Sequence, residues 1–307
     1  MKTALVGCTG FVGGNLAARH SFDGLYHSTD VECAFGTSPD LLVYAGMPAA
    51  KYLANKDPEQ DWQVAENAVR NMERIHPRKL VLISTVDVYA QPNAVDEDTP
   101  ADCNQQQAYG RNRARLEQCV REQWPDALIV RLPGLFGQGL KKNFIYDFLH
   151  RTPAMLKTEK YHELSQKSAL VQKGYVPAQN GFYRKTAQGE LADALEGWFI
   201  QNDFNALCFT DSRADYQFYD LSCLWNDLSK ALAEDLTLLN LSTEPVQAAQ
   251  LYAFLSAGEA FCNECAPTPP RYDMRSRHAD LWNGSDGYCY DRETVLRQIA
   301  KFVSETR

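Results

Sequence analysis

The chain has 307 residues, 45% hydrophobic and 23% charged, with a formal net charge of -8 at pH 7. This composition excludes a disordered polymer and a small disulfide-stapled scaffold, and the length suits one large α/β domain with a lobe, or two domains. An acidic chain without a concentrated Lys/Arg surface is not expected to bind nucleic acid.

Short apolar strands alternate with amphipathic stretches from the first residues onward. Residues 3–6 read as a strand and 11–20 as a helix; a weaker strand is expected at 25–27 and a clearer one, LLVYAG, at 41–46. A helix over 61–75 follows the turn at Pro58, with acidic residues in its first turn where the helix dipole favours them. KLVLIST, 79–85, is the most apolar run and predicts a central strand buried on both faces. A helix from 105 to 122 and a strand at 127–132 follow, with Pro125 between them. The alternation predicts an α/β fold with a Rossmann-type, doubly wound parallel sheet.

Beyond Gly139 the periodicity fades, and residues 140–215 read as an inserted lobe. Order returns with a helix over 219–232, which spaces Leu221, Leu224, Trp225 and Leu228 on one side, then a strand at 236–241 and a helix from 244 to 255. The expected division assigns 1–139 and 216–245 to a dinucleotide-binding domain, and 140–215 with 246–307 to a smaller mixed α/β substrate lobe. No apolar run approaches the ~20 residues that span a bilayer, and the first residues read as a strand rather than a signal peptide, so a cytoplasmic protein without membrane contact is expected. Nine irregularly spaced cysteines fit reduced, mostly buried thiols. The pair Cys262 and Cys265 lacks the second pair that a structural zinc site needs, so no metal is expected.

Chemistry concentrates in three segments. GCTGFVGG, 7–14, follows the first strand and opens a helix. Gly7, Gly10 and Gly13 permit a tight turn and close approach to a pyrophosphate, with Thr9, Phe11 and Val12 between them and a helix N-terminus supplying N–H donors. ISTVDVY, 83–89, ends the central strand, where ligands sit in doubly wound sheets, and YGRNRARLE, 109–117, lies on the next helix. Tyr109 and Arg113 share a helix face, so Arg113 can support the phenol as acid or base while the Thr85 hydroxyl holds the same substrate oxygen. At the tip of the second strand His27 and Ser28 can accept a ribose 2′-phosphate, whereas Asp30 just beyond can take a free 2′-hydroxyl, so both NAD and NADP stand open.

In these segments the sequence resembles the extended short-chain dehydrogenases/reductases, which act on nucleotide sugars as epimerases, dehydratases, decarboxylases and reductases. The resemblance includes the glycine turn, the YAG of residues 44–46, Asn67, ISTVDVY, the Tyr-Gly-x-x-cation helix start, RLPGLFGQG at 131–139 and RYDMRSRHADLW at 271–282. It implies a homodimer formed through the helices near 61–75 and 105–122, and a nucleotide-sugar substrate oxidised at C4. By position it places Ala45 and Gly46 under the adenosine and Pro133 and Leu135 beside the nicotinamide. Thr85 becomes the hydroxyl partner and Tyr109 the acid/base, with Tyr109 and Arg113 also touching cofactor. Asn143 and Arg271 become substrate contacts, Arg271 at the diphosphate. Three positions depart from or qualify the pattern. Arg113 stands where the family has Lys, Gly134 stands where many members carry Asn, and Asp87 falls at the Glu of members that eliminate water or carbon dioxide from a keto sugar. A non-catalytic dinucleotide-binding sensor and a reductase of a non-sugar carbonyl are the competing readings.

Overall fold

The computed structural model describes residues 1–178, 181–202 and 204–306. They form two compact units: Met1–Leu140, Asp215–Val246 and Pro270–Ile299 make the first, and Lys141–Ala214, Gln247–Pro269 and Ala300–Arg307 the second.

The first unit is built on six parallel strands in the order Leu238–Asn240, Leu128–Leu132, Lys79–Thr85, Leu41–Tyr44, Thr3–Val6 and Gly24–Tyr26. The chain runs from Thr3–Val6 outward to Gly24–Tyr26 and then crosses to Leu41–Tyr44 on the other side. The order therefore reverses between the first and third strands, and their carboxyl ends frame the crevice in which doubly wound sheets hold ligands. Alternate strand residues supply two cores. Leu5, Val43, Val81, Val130 and Leu239 pack with Leu16, Leu224 and Leu228 of the Phe11–Arg19 and Leu224–Ala233 helices. Val6, Leu42, Leu80, Leu82 and Ile129 pack on the other face with Val69, Met72, Leu116 and Val120 of the Pro58–Ile75 and Ala108–Gln123 helices. Burial on both faces is why these strands read as continuous apolar runs.

Several boundaries differ from the sequence expectation for local reasons. The helix expected from 61 begins at Pro58, because the Asp57 side chain accepts from Gln60 N–H at 3.1 Å and the proline takes the first helical position, where no N–H is needed. Where the 219–232 helix is expected to begin, Phe218–Asp220 is a strand paired with Gly134–Phe136, and the α-helix spans only Leu224–Ala233. The buried Tyr219 hydroxyl donates to Asp227, which also receives Trp282 and Tyr290. The helix expected from 244 starts at Ala248; Glu244 instead accepts from Arg292. Residues Pro270–Ile299, expected with the smaller lobe, pack in the first unit. There Gln217 bonds Met274 through both its amide groups, and Asp273–Met274 pairs with Asn93–Val95. The thiols are also less buried than expected: Cys289 is buried, but Cys33, Cys262 and Cys265 are exposed.

The second unit carries a three-stranded antiparallel sheet, Met155–Lys157, Phe182–Lys185 and Tyr175–Pro177 in that spatial order. Leu156, Leu164, Val171, Leu195 and Phe199 close its core against the Thr158–Lys167, Ala169–Gly174 and Glu190–Gln201 helices. In the Phe144–Leu149 helix, burial pushes the Asp147 carboxyl from its ordinary 3.8 up to about 7, against the pull of Arg151. The fold therefore keeps a proton that the unfolded chain releases earlier. Stability from this group is full below pH 4 and declines as pH rises toward about 7. Urea unfolding followed across that window is expected to show the decline, and Asp147→Asn is expected to flatten it. Among the described residues no helix is long and apolar enough to cross a membrane.

Candidate functional site

The carboxyl ends of the first and third strands hold the glycine turn. Gly7 has φ +94°, and a Cβ there would lie 2.5 Å from the Ala45 carbonyl oxygen. A Cβ on Gly13 would lie 2.1 Å from the Gly7 oxygen, so the helix can sit this close to the turn only without a side chain. Gly10 caps the Phe11–Arg19 helix with no side-chain hydrogen bond, leaving first-turn N–H groups without a capping side chain. Thr9 and Gly10 are exposed, while Phe11 and Val12 pack partly against the core. A cradle of small residues and uncapped N–H groups fits a dinucleotide pyrophosphate. Asn15, one turn further, exchanges hydrogen bonds with the Gln138 backbone at 2.9 and 3.0 Å and so ties the 137–139 loop to this helix.

At the end of the central strand a second cluster forms. The Thr85 hydroxyl donates to Asp87 Oδ2 at 3.1 Å and accepts from Asp87 N–H at 3.2 Å. Lys51, on the short Lys51–Lys56 helix, reaches Asp87 Oδ1 with Nζ at 2.6 Å. The same ammonium lies 5.9 Å from the Tyr109 ring centroid, and Arg113 Cζ lies 4.6 Å from it. A Cβ on Gly110 would meet the Asp87 carbonyl at 2.0 Å, so glycine after Tyr109 lets the helix close on this turn. Burial pushes the Tyr109 phenol above its ordinary pKa; Arg113 and Lys51 oppose that push, and Asp87 and Asp61 reinforce it. Burial works against the Lys51 charge, but Asp87, Tyr272 and Tyr109 outweigh it and hold the ammonium above its usual pKa.

Thr85 is bonded to Asp87, and Lys51 stands between Asp87 and the Tyr109 ring, whereas Arg113 is held by Asp61. It is 3% exposed and forms a fork on Asp61, Nη1 to Oδ2 at 2.9 Å and Nη2 to Oδ1 at 3.1 Å, with Nη2 also donating to the Pro48 carbonyl at 2.7 Å. Its charge is matched inside the protein rather than presented to a cofactor. Lys51 escaped sequence reasoning because nothing in its neighbourhood marks it; its only signal is its place shortly after the YAG strand end. Gly134 has a packing reason, since a Cβ would sit 2.6 Å from the Gln217 carbonyl and block the strand beside it.

The remaining predicted positions divide. His27 is engaged by Asp30, whose carboxylate accepts from His27 N–H at 2.7 Å and contacts Nε2 at 3.0 Å; Ser28 is exposed. Ala45 and Gly46 follow the third strand directly, and Gly7 packs against them. Pro133 is buried and Leu135 packs partly on the core. Arg271 lines a cavity of about 220 Å³ with Asp215, Tyr272, Asp273, Tyr288 and Arg292; its side chain is 69% exposed and 3.9 Å from Asp215. Asn143 belongs to the second unit, where its side chain accepts from Tyr146 N–H at 3.1 Å and caps a helix.

Residues 1–159 match the family model described as the RmlD substrate binding domain. No curated protein matches the chain. Solved structures are similar over nearly the whole length. The dTDP-4-dehydrorhamnose reductase of Yersinia enterocolitica is 13% identical, with 99% of this chain and 98% of that one covered and a TM-score of 0.62. The dTDP-4-dehydrorhamnose reductase of Bacillus anthracis, solved with NADP, is 14% identical with 99% of both chains covered and a TM-score of 0.61. The UDP-glucose 4-epimerase of Thermotoga maritima, solved with UDP-glucose, is 11% identical with 100% and 99% covered and a TM-score of 0.62. At these identities the likeness is one of fold, and it agrees with the parallel sheet described above.

Proposed function

The chain belongs to the RmlD substrate binding domain family, and from that premise we propose that it is an NAD(P)-dependent oxidoreductase acting on a nucleotide-activated sugar, at C4. One observation carries the reading: the uncapped glycine turn and the Thr85, Tyr109 and Lys51 cluster both lie at carboxyl ends of strands in a single parallel sheet. When bound, the dinucleotide supplies or accepts the hydride. Gly7, Gly10, Gly13 and the N–H groups that follow would hold its pyrophosphate, with Ala45 and Gly46 toward the adenosine. Asp30, folded over the tip of the second strand, would take ribose hydroxyls and repel a 2′-phosphate, so NAD is the preferred form.

Tyr109 then manages the proton at the reacting oxygen. Burial pushes its pKa up, so the phenol stands protonated as a donor to a carbonyl oxygen must, and the cations beside it offset the cost of the phenolate it leaves. Thr85 donates to the same oxygen by turning its hydroxyl away from Asp87. Asp87 is occupied by Lys51 and Thr85, which favours reduction or epimerisation over elimination. Arg271, exposed in its cavity, is the cation available to a diphosphate. The same reading expects a homodimer through the outer faces of the Pro58–Ile75 and Ala108–Gln123 helices.

The test is a panel of nucleotide sugars and 4-keto nucleotide sugars incubated with each dinucleotide, read at the reduced-nicotinamide absorbance and by mass. Turnover is expected for at least one, with Tyr109→Phe slowing it by about 10²-fold or more while binding dinucleotide normally. Failure to bind either dinucleotide would sink the proposal. Binding without turnover on any sugar would favour the sensor reading, to which the burial of Arg113 lends support.

A further inference from the structure

A phenol that gives up its proton beside a reacting oxygen becomes an anion in a buried place, and needs a cation that can answer that charge. Arg113 is nearest to the Tyr109 ring and is held in one place. Its side chain is 4% exposed, three hydrogen bonds fix its two terminal nitrogens, and the Asp61 carboxylate already matches its charge. Lys51 is also paired, with Asp87 at 2.6 Å, but its side chain is far less buried. Its side chain is 51% exposed, and an ammonium has three N–H donors, of which one is given to Asp87. The helix that carries it is docked on the residue it serves: Asn55 Oδ1 accepts from Tyr109 N–H at 3.0 Å, and Asn55 Nδ2 donates to Gln107 Oε1 at 2.8 Å. That clamp fixes the height of Lys51 beside the phenol.

We propose that Lys51, from a different segment of the chain than the catalytic helix, is a positioning cation that stabilises the Tyr109 phenolate alongside Arg113. The inference rests on the reading of Tyr109 as the acid/base of an oxidoreductase. Charged and titratable groups converge on the pair from every neighbouring element. Arg113 faces Tyr109 from its own helix, Asp61 from the Pro58–Ile75 helix and Asp87 from the turn after the central strand; Tyr272 and Asp87 face Lys51. Lys51 and Asp87 act on the phenol with opposite signs. Removing the lysine leaves an unmatched carboxylate and drives the phenol further up, whereas removing the carboxylate leaves an unmatched ammonium and brings it down.

Titration of Tyr109 itself tests this without any substrate. Protein carrying ¹³Cζ-tyrosine is followed by NMR against pH, with the Tyr109 signal assigned by its loss in Tyr109→Phe. Lys51→Met is expected to raise the Tyr109 titration by about one pH unit or more, Asp87→Asn to lower it, and Lys51→Arg to leave it close to wild type. Should the wild-type phenol titrate above the range in which the fold survives, Asp87→Asn serves as the background, and Lys51→Met added to it must move the signal upward. An unmoved signal in Lys51→Met, alone or in the Asp87→Asn background, with dinucleotide binding intact, overturns the role of Lys51 and leaves the oxidoreductase reading standing. Absence of dinucleotide binding in the wild type overturns that reading, whatever the titration shows.

Discussion

Arg113→Met is expected to destabilise the protein by about 3–5 kcal/mol, because it strands the Asp61 carboxylate in a buried site. Asp61 is 9% exposed and receives both terminal nitrogens of Arg113, with the Asn112 amide at 3.0 Å as its further partner. One neutral amide cannot replace a guanidinium fork around a desolvated anion. Arg113→Lys, which would restore the residue that the family pattern calls for, is expected to lose about 1–3 kcal/mol, since a point-like ammonium cannot serve both carboxylate oxygens and the Pro48 carbonyl. It should not raise turnover, because the lysine would be drawn to Asp61 rather than toward a cofactor. The double variant Arg113→Met with Asp61→Asn should recover a large part of the loss, as neutral replacements of buried ion pairs often do. Urea midpoints at constant m-value measure all three, and a cost below about 1 kcal/mol for Arg113→Met would show that the pair is solvated rather than buried.

Arg113 also shows where sequence reasoning stops. The four-residue spacing correctly set its guanidinium beside the Tyr109 ring. What that spacing cannot reveal is a carboxylate from another helix close enough to claim the charge. Lys51 is the reverse case: no local pattern distinguishes it, and it becomes a neighbour of Tyr109 only through the Asn55 clamp between two segments distant in sequence. The strands were legible because both their faces are buried, so Thr3–Val6 and Lys79–Thr85 lie where their apolar runs indicate. Phe218–Asp220 was hidden by the helical spacing that begins immediately after it, since a three-residue strand defines no period of its own. Gly134 reads in the sequence only as a departure from the Asn of many members, and the Gln217 carbonyl beside it shows that any side chain there would push a strand away.

The glycine turn gives the sharpest contrast between neighbouring positions, Gly13 and Gly14. Both lie in the Phe11–Arg19 helix with negative φ, so neither is required for its backbone angles. At Gly13, however, an added methyl would stand 2.1 Å from the Gly7 oxygen and 2.7 Å from its carbonyl carbon, and those atoms are backbone that cannot rotate aside. Gly13→Ala must therefore lift the helix from the turn, at a cost of about 1–3 kcal/mol in stability. The same displacement moves the first-turn N–H groups off a bound phosphate, and losing even two such charged hydrogen bonds, about 1.5–3 kcal/mol each, weakens dinucleotide binding by at least about 100-fold. At Gly14 the methyl would meet the Cys8 carbonyl at 3.6 Å, an ordinary contact. Gly14→Ala should accordingly leave binding unchanged and gain about 0.5–1 kcal/mol from the better helix former. Calorimetric titration of the two variants with NAD separates steric closure of the cradle from a general intolerance of the segment. Equal affinity for NAD in Gly13→Ala and the wild type would mean that phosphates do not bind at this turn.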